Sequence, residues 1–112
     1  MQIAPLSPDF AVGPQILPSQ LAEIAAQGFR GIVNNRPDNE ELGHPADAEI
    51  AAEAARLGLA YRFVPVGEGY AVEPAAEALR AFLAETEGPV FAFCRTGNRS
   101  ARLWALARQS AV

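Results

Sequence analysis

An α/β fold three layers deep is what the sequence predicts, with a mainly parallel central sheet, helices on both faces, and residues 1–112 as one domain. Three observations point to it. Strand-like and helix-like stretches alternate along the chain. Gly28, Gly58 and the pair Gly88-Pro89 punctuate the helical stretches. Val90-Phe91-Ala92-Phe93 is an unbroken apolar run, as a strand covered on both faces requires.

The elements follow in order. Short β-type pieces lie around Asp9-Phe10-Ala11-Val12, and Gly13-Pro14 reads as a turn. Ser19 is the expected N-cap of a helix that carries Leu21, Ile24 and Ala25 on one face and ends at Gly28. Arg30 to Asn34 is a short strand, and the polar stretch Asn35 to Pro45 a loop. A second helix runs from about Asp47 to Leu57, with Ile50, Ala51, Ala54 and Leu57 at helical spacing. Ala60 to Val66 is the next strand and Gly67 to Ala71 the next loop. A third helix, about Glu73 to Glu85, buries Leu79, Phe82 and Leu83. After Val90–Phe93, residues 94–99 form a loop. A last helix from Ser100 turns Leu103, Trp104 and Ala107 inward. Ligands of such sheets bind beyond the carboxyl ends of the strands, which is where Cys94 falls.

Composition narrows the function. Half the residues are apolar and a fifth charged, which suits a packed core and not a disordered tail. No apolar run approaches the roughly 18 residues of a membrane span, and Met1-Gln2-Ile3-Ala4-Pro5 lacks the basic start of a secretory signal. A cytoplasmic protein is expected, with its one cysteine a free thiol. The net charge of −4 argues against a nucleic-acid partner. All nine basic residues are arginines, and they are unevenly spread. Through Glu87 there are five against all thirteen acids; beyond it come Arg95, Arg99, Arg102 and Arg108 with no acid. That reversal surrounds the cysteine.

The segment Phe93-Cys94-Arg95-Thr96-Gly97-Asn98-Arg99-Ser100 explains why this matters. A buried strand delivers a thiol to its exit, and a tight turn with Gly97 at its middle leads into a helix. Main-chain N–H groups of such a loop converge on one point, where the helix dipole adds positive charge. The cradle would stabilise a Cys94 thiolate and hold a substrate anion through the amides of Arg95, Thr96, Gly97, Asn98 and Arg99. The Arg99 fork would grip that anion, Arg95 would add field at the mouth, and the Ser100 hydroxyl would donate to the thiolate or to the leaving atom. The expectation is an enzyme with a cysteine nucleophile.

Cys94-Arg95-Thr96-Gly97-Asn98-Arg99-Ser100 resembles the active loop of single-domain rhodaneses, and also that of the phosphatase-like domain associated with β-lactamase-like hydrolases. The second resemblance extends over most of the chain. It takes in Asn34-Asn35-Arg36-Pro37-Asp38, Gly58-Leu59-Ala60-Tyr61, Val64-Pro65-Val66, Gly88-Pro89-Val90 and Leu103-Trp104-Ala105-Leu106. It implies a dual-specificity-phosphatase-like fold, and sulfur transfer is implicated for some members. Two departures stand out. Phosphatases of that fold place five residues between cysteine and arginine, whereas four lie between Cys94 and Arg99, the usual rhodanese spacing. Phe93 occupies the position where histidine is common, which removes a hydrogen-bonding group behind the loop.

By the same resemblance the loop after Val64-Pro65-Val66 carries a general acid, here Glu68, and Asp38 is the second candidate. Arg36 would pair with such a carboxylate or touch substrate. His44 reads as a loop residue and Trp104 as core. No Cys/His spacing fits a metal site, and no cofactor is expected.

Three readings result. The first is sulfur transfer through a Cys94 persulfide, from an anionic donor such as thiosulfate to a thiol acceptor, with a sulfur-oxidising enzyme as partner. The second is a phosphatase that forms phospho-Cys94 from a phosphoester. The third is a non-catalytic anion- or partner-binding module.

Overall fold

A computed structural model describes residues 1–109. Its five strands are β1 (Ala4–Ser7), β2 (Phe10–Gly13), β3 (Gly31–Asn34), β4 (Ala60–Phe63) and β5 (Val90–Phe93). The α-helices are α1 (Leu21–Ala26), α2 (Asp47–Arg56), α3 (Val72–Glu85) and α4 (Asn98–Gln109), and a 3-10 turn, Pro18–Gln20, precedes α1. The sheet order is β1-β2-β5-β3-β4. All neighbours are parallel except β1, which runs antiparallel to β2.

The apolar run of β5 is central because both of its faces are covered. Val90 and Ala92 join one cluster with Leu79 and Phe82 of α3 and Leu103 and Ala107 of α4. Phe91 and Phe93, alternating to the other side, join Leu21 and Ile24 of α1 and Ile50 and Ala54 of α2. Both phenylalanines are fully buried, and burial of each side chain contributes about 1.5–3 kcal/mol. On the first face Phe10 stacks on Trp104 at 5.6 Å, and the Arg108 guanidinium lies 4.6 Å from the indole. Among the described residues no helix is long and apolar enough to cross a membrane.

Five local readings need correction. β1 has no counterpart among the expected strands. It is largely exposed and contains Pro5, so it has no inside–outside alternation to read, and only its ladder to β2 defines it. Gly13 ends β2 instead of opening a turn, paired across to Phe93. Ser19 is not the cap of the first helix. Pro18 starts the turn one residue earlier, and the Gln20 side chain accepts from the Leu17 N–H at 2.8 Å. The strand expected at 60–66 stops at Phe63, and α4 begins two residues before Ser100.

Candidate active site

Parallel pairing sets Gly13 and Asn34 on either side of Phe93, so β2, β5 and β3 all end at one line. Cys94 is the next residue, fully buried. The Gly97 N–H donates to its Sγ at 3.0 Å, and the main-chain N–H groups of Thr96, Arg99 and Ser100 converge on the same atom. Gly97 makes this curl. Its φ of +97° suits glycine, and a Cβ there would meet the Gly13 backbone at 3.3 Å. The Ala101 N–H then closes the first helical bond on the Gly97 carbonyl at 3.0 Å, so the sulfur sits at a helix N-terminus.

Burial pushes the Cys94 thiol up, and the four amides more than offset it, leaving the thiol below its ordinary value. Phe93 does not prevent this. Its ring belongs to the core beside Phe91, at 6.4 Å, and the main chain supplies the acidity.

The Ser100 hydroxyl has another partner than the one expected. Buried Ser100 Oγ donates to Asn35 Oδ1 at 2.8 Å, while Asn35 Nδ2 donates to the Val64 carbonyl at 2.8 Å. A hydroxyl has one proton, so Ser100 serves the sulfur through its main-chain N–H.

Arg99 is reached from two loops. Its Nη1 donates to the Val66 carbonyl at 2.8 Å and to Glu40 Oε2 at 2.6 Å, and its Nη2 donates to Glu40 Oε1 at 2.9 Å. Glu40 also accepts from Arg36 Nε at 3.0 Å, and Glu41 joins Arg36 Nη2 at 2.6 Å to Arg95 Nε at 3.1 Å. Arg99, Glu40, Arg36, Glu41 and Arg95 thus alternate in charge along the rim of a depression of about 410 Å³. The Arg99 guanidinium, with Arg36 helping, holds the Glu40 carboxyl down at about 2.

Asp38 and Glu68 occupy different settings. Asp38 Oδ1 accepts from the Asp47 N–H at 2.7 Å and so caps α2. Glu68 is exposed and follows Gly67, which lies against the guanidinium; a Cβ on Gly67 would stand 3.3 Å from Arg99 Nη1. Arg36 is buried within its carboxylate pair and Gln15. Exposed Thr96 accepts from the Asn98 N–H at 3.3 Å, and exposed Arg95 reaches Glu41. His44 is indeed a loop residue: its Nε2 accepts from the Glu40 N–H at 3.2 Å, and its Nδ1 lies 2.9 Å from the Pro45 carbonyl.

Glu40 and Asn35 are the residues that sequence reasoning passed over. The only available signal was their place in the loop after β3, on the same sheet edge as Cys94.

The family model for the phosphatase-like domain of beta-lactamase hydrolase-like proteins matches residues 2–111. Beta-lactamase hydrolase-like proteins of Agrobacterium fabrum and Xylella fastidiosa (strain Temecula1) are 34% and 37% identical to the chain over 106 residues, covering 95% of it and 25% of each relative. The chain therefore spans a quarter of the length of the curated relatives it matches. A solved structure of a candidate phosphatase from Neisseria meningitidis has a TM-score of 0.83 at 32% identity, covering 96% of this chain and 77% of that one. These similarities side with the phosphatase-like alternative and not with the sulfur-transfer reading placed first. The chain belongs to the phosphatase-like domain family of beta-lactamase hydrolase-like proteins.

Proposed function

We propose that the domain is a cysteine-dependent phosphatase that works through phospho-Cys94. The convergence of four main-chain N–H groups on Cys94 Sγ, at the start of α4, carries this reading. Cys94 thiolate attacks phosphorus; the Sγ–P bond forms as the bond to the leaving oxygen breaks. The amides of Thr96, Gly97, Arg99 and Ser100 and the Arg99 side chain stabilise the charge on the non-bridging oxygens. Glu68, on the loop whose Val66 carbonyl holds Arg99, protonates the leaving oxygen. As a carboxylate it then takes a proton from the water that attacks phosphorus and regenerates the thiolate. Asp38 is the weaker candidate for that acid, since it caps α2. The substrate class is a phosphomonoester.

Turnover of p-nitrophenyl phosphate tests the reading. Activity that vanishes in Cys94→Ser and falls modestly in Glu68→Gln supports it. Turnover that survives Cys94→Ser would rule it out.

One observation favours a second reading. Four residues between Cys94 and Arg99 make a smaller ring, suited to an outer sulfur on Sγ. In that case Cys94 thiolate attacks the outer sulfur of thiosulfate, the S–S bond breaks, sulfite leaves, and an acceptor thiol later removes the persulfide sulfur. A mass gain of one sulfur atom after incubation with thiosulfate, absent in Cys94→Ser, would establish it. An unchanged mass would exclude it. A non-catalytic anion-binding domain is the outcome if neither chemistry appears.

A further inference from the structure

Glu40 lies on the fork of Arg99, where two opposite roles are conceivable. A carboxylate there could compete with the substrate anion for the guanidinium, or it could hold the guanidinium in place to receive that anion. The donor count separates them. Arginine has five N–H donors. Glu40 takes one from Nη1 and one from Nη2, the end-on edge, and the Val66 carbonyl takes the other from Nη1. Nε–H and the outer Nη2–H remain. Those two form the side-on edge, which is itself a bidentate site for an oxyanion. Arg99 closes the loop that begins at Cys94, at the helix start where the Gly97 N–H meets Sγ.

The loop is built to present this carboxylate. Asn39 adopts a left-handed conformation, φ +65°, just before it. His44 Nε2 accepts from the Glu40 N–H, and Arg36 Nε donates to the Oε1 atom that Arg99 Nη2 also uses. Arg36 is itself buried and held by Gln15 and Glu41.

We propose that Glu40 is a positioning residue: by taking the end-on edge of Arg99 it fixes the side-on edge for an oxyanion carried on Cys94. This deepens the phosphatase reading and rests on its assignment of Arg99 as the anion grip. Two measurements keep them apart. Tungstate, a tetrahedral oxyanion, is titrated calorimetrically into the wild type, Glu40→Gln, Glu40→Asp, Arg99→Lys and the Glu40→Gln/Arg99→Lys double variant; p-nitrophenyl phosphate turnover is followed in parallel.

Glu40→Gln is expected to weaken tungstate binding about tenfold or more, the loss of one oriented charge-assisted contact. Glu40→Asp, which keeps the charge, should recover part of that loss. In the Arg99→Lys background the same Glu40→Gln change should cost little, since the effect passes through the guanidinium. A general structural role would cost the same in both backgrounds, and that result overturns the assignment. Equal or tighter binding by Glu40→Gln in the wild-type background also overturns it, because a competing anion behaves that way. A wild type that binds no tungstate sinks the assignment together with the phosphatase reading. Tungstate binding that weakens as expected, without any ester turnover, sinks the phosphatase reading alone.

Discussion

Ser100 Oγ donates to Asn35 Oδ1 at 2.8 Å in the interior, joining the first turn of α4 to the segment that follows β3. The pair fixes the height of the amides that meet on Cys94. Ser100→Ala leaves the Asn35 oxygen without its partner and should cost about 1–3 kcal/mol in denaturant unfolding. The Cys94 thiol should nevertheless remain acidic, since the Ser100 N–H is retained. Asn35→Ala also strips the Val64 carbonyl of its donor and should destabilise more. Ultraviolet thiolate absorbance against pH would check both.

The four amides predict a Cys94 thiolate at lower pH than an exposed cysteine allows. Phosphatase activity should rise with pH through that depressed value and level off below the ordinary thiol range. An activity that keeps rising until an ordinary thiol has ionised would contradict the cradle. Arg99→Lys, which keeps the charge but loses the fork, should lower kcat/KM roughly hundredfold or more.

Glu68→Gln separates substrates by their leaving groups. With an alkyl phosphate, whose leaving oxygen needs a proton, the loss should be about 10²–10⁴-fold. With p-nitrophenyl phosphate it should be smaller. Equal losses on both would mean that Glu68 is not the acid.

Gly97→Ala forces a side chain into a left-handed position facing the Gly13 backbone. The expected cost is about 1–3 kcal/mol, read from thermal or denaturant unfolding. The thiol should shift upward as the Gly97 N–H moves away from Sγ.

Glu40 makes stability sensitive to acid. Its carboxyl is held at about 2 in the folded protein against 4.5 unperturbed. A depressed carboxyl contributes stability that is present above the unperturbed value and is lost as pH falls through the folded one. Tm should therefore decline between about 4.5 and about 2, and Glu40→Gln should flatten that decline.

What the sequence made legible was whatever one short segment encodes. Phe93 to Ser100 contains thiol, turn glycine, guanidinium and helix start within eight positions, so its local geometry could be reasoned out without knowing the rest. The buried β5 run and the helix-stopping glycines exposed the layer order in the same way. Long-range partners stayed hidden. Glu40 lies 59 positions from Arg99, and Asn35 lies 65 from Ser100. Nothing in Glu40-Glu41 tells which of the two carboxylates reaches the loop and which faces Arg95. β1 was missed because an exposed edge strand is defined by its neighbour's backbone and not by its own side chains.

Trp104 is the only tryptophan, and it stands on the helix whose first turn forms the anion cradle, stacked on Phe10 with Arg108 nearby. Its fluorescence is thus a built-in gauge of helix docking. A variant whose emission matches the parent has kept α4 seated, and any lost reactivity then belongs to the loop chemistry and not to a detached helix.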